Sequence, residues 1–269
     1  MELNCLINSL FSKNKLNHYI RTYEVIPFSH NHGIIEFIDG LASLKSICNE
    51  LYLKENISIA NVTKKYAKTK KIKAQNFKEV IGMFPPRFYK WFEKNFNTPY
   101  NWYMARDNYT KTYAVMNIMG WFMGLGDRHA DNILFDINVG DTVHVDLNCI
   151  FESSKKLSIP ERVPFRLTQN VIDAFGVLGL EGTYTNTMNE TLELFLKNRN
   201  LIISNLLSFV YDPLHEWRIR KEKAPKLVLD VLEKKLSPTD VTLKVEHLNE
   251  EASSSTNLSE MYIGWLPFI

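Results

Sequence analysis

The stretch from residue 109 to residue 146 constrains this chain more than any other. Residues 109–125 read as a strongly apolar helix, and Gly124 and Gly126 stand where glycine ends helices. Two short β-rich runs follow, Ile133-Leu-Phe-Asp-Ile137 and Thr142-Val-His-Val-Asp146, joined by Asn138-Val139-Gly140-Asp141. This order predicts a buried helix, a polar loop and a tight hairpin. The loop is Gly124-Leu-Gly-Asp-Arg-His-Ala-Asp-Asn132. A turn over 138–141 would set Ile137 opposite Thr142 and Ile133 opposite Asp146, with Asn132 beside Asp146.

An amide oxygen and a carboxylate at the open end of a small hairpin suit Mg²⁺, or Mn²⁺ in its place. Mg²⁺ takes one or two protein oxygens and completes its shell with phosphates and water. Asp127 lies five residues before Asn132 on the same loop. Phosphoryl transfer needs metal ligands, a residue that orients or deprotonates the nucleophile, and a donor for the transferring group. Asn132 and Asp146 suit the first role, Asp127 the second and His129 the third. Singly, each has a plainer reading: a loop Asp bound to backbone amides, a structural His, an Asp capping the next turn. Their joint spacing beside a hairpin favours chemistry.

Elsewhere, Leu3, Leu6, Ile7 and Leu10 fall at helical spacing. Residues 21–28 and 33–38 alternate as strands around Ser29-His30-Asn31-His32, a second hairpin. Residues 41–53 return to helical periodicity. The Lys-rich stretch 63–79 has few apolar anchors and reads as a solvated, mobile loop or helix face. Pro85-Pro86 ends one helix or starts another. Phe88, Trp91, Phe92 and Phe96 form an aromatic core stripe. From 170 to 236 the pattern is helical, with breaks at Gly176, Gly179, Gly182 and Pro213. Residues 249–259 read as a polar linker. The final segment carries Tyr262, Trp265 and Phe268, which should dock rather than hang free.

Composition excludes some functions. A net charge of +2 gives no basis for direct binding to nucleic acid or an anionic membrane. No apolar run reaches the ~20 residues of a membrane helix, and the N-terminus has no secretory pattern. Cys5, Cys48 and Cys149 are widely spaced, as reduced intracellular thiols are.

The Asp127-Arg-His129 order, with Val145-Asp146 at the hairpin end, resembles the phosphatidylinositol kinase superfamily. Met261-Tyr-Ile-Gly-Trp-Leu-Pro-Phe-Ile269 is similar to the FATC segment that ends its protein-kinase branch. The chain therefore looks like a phosphatidylinositol 3-kinase-related protein kinase. Ile20-Arg-Thr-Tyr23, Gly33-Ile-Ile-Glu36, Val145-Asp-Leu-Asn-Cys149 and Tyr211-Asp-Pro-Leu-His-Glu-Trp217 resemble the ATR type.

That resemblance implies an α+β, mostly helical fold: a kinase-like C-lobe with hinge strands and a small catalytic hairpin, the N-lobe largely absent. Residues 1–38 would be a remnant of the N-lobe and hinge, 39–236 the C-lobe and 237–269 the FATC-like tail. Tyr23, Ile35, Phe37, Ile38, Leu134 and Val145 would bind the nucleotide of ATP. Phe37 would pack on adenine, Ile38 would offer backbone hydrogen bonds, and Leu134 and Val145 would form the floor. The implied activity is transfer of the γ-phosphate to Ser or Thr followed by Gln, in nuclear DNA-damage checkpoint signalling, with a dedicated partner subunit.

Some residues depart from the family pattern. Leu147 stands where most relatives have Phe, and Ser153-Ser154 replaces a usual Lys-Gly. No Gly-rich phosphate loop or phosphate-binding Lys precedes residue 20, and Gly124-Leu-Gly126 is no substitute. The match runs off the N-terminus in mid-domain, so a fragment or incomplete gene product, inactive alone, is expected. Two other functions compete. A phosphoinositide kinase lobe would want a basic cluster beyond Lys155 and Lys156, and a non-catalytic scaffold need not keep Asp127, Asn132 and Asp146.

Overall fold

The computed structural model describes residues 1–29, 32–210 and 224–269. The chain is α+β and mostly helical, and its apolar core runs from Leu3 to Ile269 as one cluster. Helix α1 (Glu2–Lys13) buries Leu3, Ile7, Leu10 and Phe11. Strands β1 (Val25–Ser29) and β2 (His32–Ile35) form the first hairpin, with Val25 opposite Ile35. The centre of its expected turn, residues 30 and 31, lies outside the described residues.

The helix expected over 41–53 begins later. Leu41–Ser43 form strand β3, which pairs with the second hairpin, and helix α2 spans Leu44–Lys54. The Ser43 hydroxyl accepts from Ser46 N–H at 3.1 Å and so sets the helix start.

The Lys-rich stretch takes the form of a solvated helix face with buried anchors. Its lysines lie at the surface, but helices α3 (Ile59–Lys65) and α4 (Ala74–Met83) bury Val62, Phe77 and Val80, and Tyr66 and Ile72 are buried between them. The Lys70 carbonyl accepts from Ile263 N–H at 2.8 Å, and Lys71 pairs with Glu260. Aromatic anchors among the lysines hold the segment against the C-terminal tail. Phe88, Trp91, Phe92 and Phe96 around α5 (Tyr89–Asn95) are buried as expected.

Helix α6 (Pro99–Met123) starts ten residues earlier than its apolar run suggests, because Thr98 caps Asn101 N–H and Pro99 fits the first turn. Gly124 closes it at φ +62°, with Gly124 N–H on Trp121 O and Leu125 N–H on Gly120 O.

The second hairpin, β4 (Ile133–Asp136) and β5 (Thr142–His144), has a register two residues tighter than expected. Ile133 faces His144, not Asp146. Asp136 closes the turn over 137–140: its carboxylate accepts from Asn138 N–H at 2.8 Å and its own N–H donates to Asp141 O at 2.9 Å. Gly140, at φ +82°, approaches the Ala105 backbone too closely for any side chain. A two-residue slip preserves which face each side chain occupies, so Asn132 still ends beside the Val145-Asp146 pair.

Helices α7 (Gln169–Ala174), α8 (Thr183–Lys197), α9 (Arg199–Val210) and α10 (Ala224–Lys235) follow, separated by Gly176 and Gly182 where expected. Pro213 and the 211–217 resemblance lie outside the described residues. The expected linker at 249–259 is helical instead. Helix α11 (Val241–Ser253) buries Val245, Leu248 and Ala252 on one face, and α12 (Ser255–Ser259) starts at a Ser254 cap. Serine there caps helices rather than loosening the chain. The end of the chain docks as expected through Met261, Ile263, Trp265, Leu266, Phe268 and Ile269, while Tyr262 stays half exposed.

Candidate active site

The loop after α6 is held by main-chain contacts. Gly126 N–H donates to Cys149 O at 2.7 Å, Phe151 N–H to Met123 O at 2.8 Å, and Glu152 N–H to Gly124 O at 2.9 Å. The segment beyond Asp146 thus folds back along the loop before Asp127. A side chain at Gly126 would meet Ser154 Cβ at 2.2 Å, so glycine here permits that close approach.

Asp127 and Asp146 both adopt left-handed backbone, φ +57° and +53°. Asp tolerates that region better than most residues, yet it costs of order 1 kcal/mol. The surroundings hold both in place. Asp127 N–H donates to Glu161 Oε2 at 2.9 Å, and Asp127 O accepts from Asn132 Nδ2 at 2.9 Å. Arg128 is buried, and its guanidinium donates to Gly126 O, Val145 O and Asp146 O. One fork therefore ties the residue before Asp127 to Asp146.

Asn132 is buried and accepts Val145 N–H through its carbonyl at 3.2 Å. Because its Nδ2 serves Asp127 O, its side-chain oxygen is the atom left for a cation. Asp146 is exposed. Among the described residues no group of three or more His, Cys, Asp or Glu assembles as a metal site. Mg²⁺ needs none, because two hard protein oxygens suffice, and Asn132 with Asp146 fit it. His129 is half-buried, and its Nδ1 accepts from Asp131 N–H at 3.2 Å. That bond puts the proton of the neutral ring on Nε2, making it a donor.

The six residues expected to bind the nucleotide are placed unevenly. Leu134 and Val145, on the hairpin, are half-buried. Tyr23 is half-buried near Arg128 and Asp146. Burial raises its hydroxyl pKa above the usual range, with Arg128 opposing the shift and Asp146 adding to it. Ile38 is half-buried, but Ile35 and Phe37 are 67% and 86% exposed. A groove of about 420 Å³ lies beyond the loop, lined by Trp121, Glu152, Glu161, Arg162 and Lys235 among others.

Residues 1–219 match the phosphatidylinositol 3- and 4-kinase family, and residues 238–269 match the FATC domain. The chain belongs to the phosphatidylinositol 3- and 4-kinase family. It is 57% identical over its full length to a probable serine/threonine-protein kinase MEC1 homolog of Encephalitozoon cuniculi, covering 15% of that protein. It is 38% identical to protein kinase rad3 of Schizosaccharomyces pombe and 35% to serine/threonine-protein kinase ATR of Arabidopsis thaliana, covering 12% and 11% of them. The fold matches the FAT and kinase domain of CtTel1 with a TM-score of 0.91 at 30% identity, over all of this chain and 20% of that one. The chain thus spans a small part of these kinases. Membership implies use of ATP and a divalent metal in general.

Sequence reading gave no role to three residues that the structure places around this loop: Arg128, Glu161 and Arg166. Arg166 is 1% exposed, between buried Phe165 and Leu167. Its Nε donates to Arg128 O at 3.0 Å, and its Nη atoms donate to Trp265, Leu266 and Ile269 oxygens. The available signal was an arginine inside an apolar run, Val163-Pro-Phe-Arg-Leu167, since a cation buried there must have partners.

Proposed function

We propose that this chain is the C-terminal lobe and tail of a serine/threonine protein kinase of the ATR type. The full protein would move the γ-phosphate of ATP to Ser or Thr followed by Gln, in nuclear DNA-damage signalling with a partner subunit. Residues 1–38, 39–236 and 237–269 would be hinge remnant, C-lobe and tail. The observation that carries the reading is the Arg128 fork, which ties the loop of Asp127 to Asp146 while Asn132 bonds Asp127.

In this reading Asp127 faces the acceptor hydroxyl, orients it and takes its proton. His129, through Nε2–H, donates to the transferring group, where negative charge develops. Asn132 and Asp146 hold Mg²⁺, or Mn²⁺, through side-chain oxygens; the cation, when bound, neutralises phosphate charge. Glu161 fixes the Asp127 backbone, and Leu134, Val145, Tyr23, Ile35, Phe37 and Ile38 form the base slot once a nucleotide covers them. These 269 residues alone, with no glycine-rich loop ahead of residue 20, are expected to turn over little.

The test uses the full-length protein carrying this chain, with a Ser-Gln peptide and an inositol lipid as rival acceptors. Asp127→Ala and Asp146→Ala should each lose at least ~100-fold in kcat/KM with unchanged melting temperature. Undiminished activity in both variants would sink the role assignment. Preference for the lipid would overturn the protein-kinase reading.

A further inference from the structure

We propose that Arg166 is a positioning residue for the metal-binding carboxylate, coupling the docked C-terminal tail through Arg128 to Asp146. The proposal rests on the site reading above. Arg166 sits where the tail meets the catalytic loop, and its hydrogen bonds end on main-chain oxygens. Two bonds of 3.2 Å go to the Leu266 and Ile269 oxygens, and a third goes to Trp265 O. The Trp265 ring lies 3.7 Å from the guanidinium carbon. The tail is shaped for this: a 3-10 turn over Ile263–Trp265 ends at Leu266 with φ +57°, and successive carbonyls converge on one cation.

On its other side, Arg166 Nε reaches the carbonyl of Arg128 at 3.0 Å. Arg128 in turn spans the site, from Gly126 O to Val145 O and Asp146 O. Among the described residues neither arginine has an Asp or Glu side chain within ion-pair distance. Burial lowers the pKa of both, that of Arg166 to about 10. A buried cation held only by main-chain oxygens depends on every one of them. Releasing Arg166 frees the peptide between Arg128 and His129 and loosens the fork that holds Asp146 in its left-handed backbone. The consequence should fall on cation binding, as when the partners of a metal ligand are removed.

The experiment measures Mn²⁺ bound by the full-length protein with a non-hydrolysable ATP analogue, by electron paramagnetic resonance. Arg166→Met should weaken Mn²⁺ about tenfold. Arg166→Lys, which keeps the charge but not the planar fork, should recover part of that affinity. It also serves as the test variant if the Met form does not fold. Gln169→Leu is the matched control: Gln169 Nε2 bonds the tail at Phe268 O, 3.2 Å away, and has no bond to the catalytic loop. Mn²⁺ affinity should stay within about twofold in that variant. Unchanged affinity in the Arg166 variants, or an equal loss in Gln169→Leu at the same melting temperature, overturns the proposal. Asp146→Ala, run alongside, separates the two claims. If it still binds Mn²⁺ normally, the site reading itself fails; if it alone loses binding, only the coupling fails.

Discussion

The chain contains two β-hairpins of similar length and opposite circumstances. In β4–β5 the residues are buried or half-buried, and Phe135 packs on Phe88, Trp91 and Tyr109. In β1–β2 every described residue is exposed, including Val25, Ile26, Phe28, Ile34 and Ile35. Both read equally well as strands, because alternation and β-branched content are local properties. What covers a strand is not local. The inner hairpin lies against α6 and carries the proposed metal ligands, so its geometry is fixed by this chain's own residues. The outer one displays apolar side chains over which no other described residue closes, and there a nucleotide would find only part of its slot.

The strongest way to break this contrast is to remove Phe135. It has no exposed surface and packs on three aromatic rings, so Phe135→Ala should cost ~3–5 kcal/mol. Chemical denaturation of the chain measures it. A loss under ~1 kcal/mol would show that the inner hairpin is not the anchored one.

That contrast also explains what was legible in the sequence. The helix, the glycine stop and the hairpin are written in periodicity and turn chemistry, and Asp127, His129, Asn132 and Asp146 stand out by spacing. The register was not legible, because it depends on the Asp136 side chain closing the turn one residue early. The helical turns at 249–259 were hidden by their serines, of which Ser254 caps the second helix and Ser253 and Ser259 bond back to the helix backbone. Arg128 and Arg166 were invisible as a pair because their acceptors are main-chain oxygens, which every residue has. The docking of 63–79 on the tail was masked by its lysines, whose charged ends stay in water while Tyr66 and Ile72 go in.

A smaller effect tests how the inner hairpin's loop is held. Burial raises the Glu161 pKa above the ordinary carboxylate range, against opposing hydrogen bonds from Asp127 N–H and Ser154. The folded state then binds the proton more tightly than the unfolded chain. Stability from this group is therefore fully present below the ordinary carboxylate pKa and is lost as pH rises through the raised folded value. Glu161→Gln can still accept both hydrogen bonds and never ionises. It should flatten that part of the pH–stability curve and change stability at neutral pH by about 1 kcal/mol or less. Denaturation midpoints across the acid range check the sign. A curve that still falls with rising pH in the variant would assign the dependence to another group.

The smallest expected effect belongs to the outer hairpin. Phe28 is 66% exposed, and among the described residues no aromatic partner holds its ring. Phe28→Ser should therefore shift the stability of these 269 residues by less than ~0.5 kcal/mol, the range of surface substitutions away from special features. Its denaturation midpoint should coincide with that of the unaltered chain, while Phe135→Ala moves far. Equal losses from the two phenylalanines would erase the distinction between the hairpins, for they would mean that the outer one is packed in solution by residues of this same chain. A null effect for Phe28→Ser in the isolated chain, together with a measurable loss in the full-length protein, would sharpen the distinction instead. The apolar face of β1–β2 would then be a surface built to be covered from outside these residues, and the nucleotide slot beside it would be completed by whatever covers it.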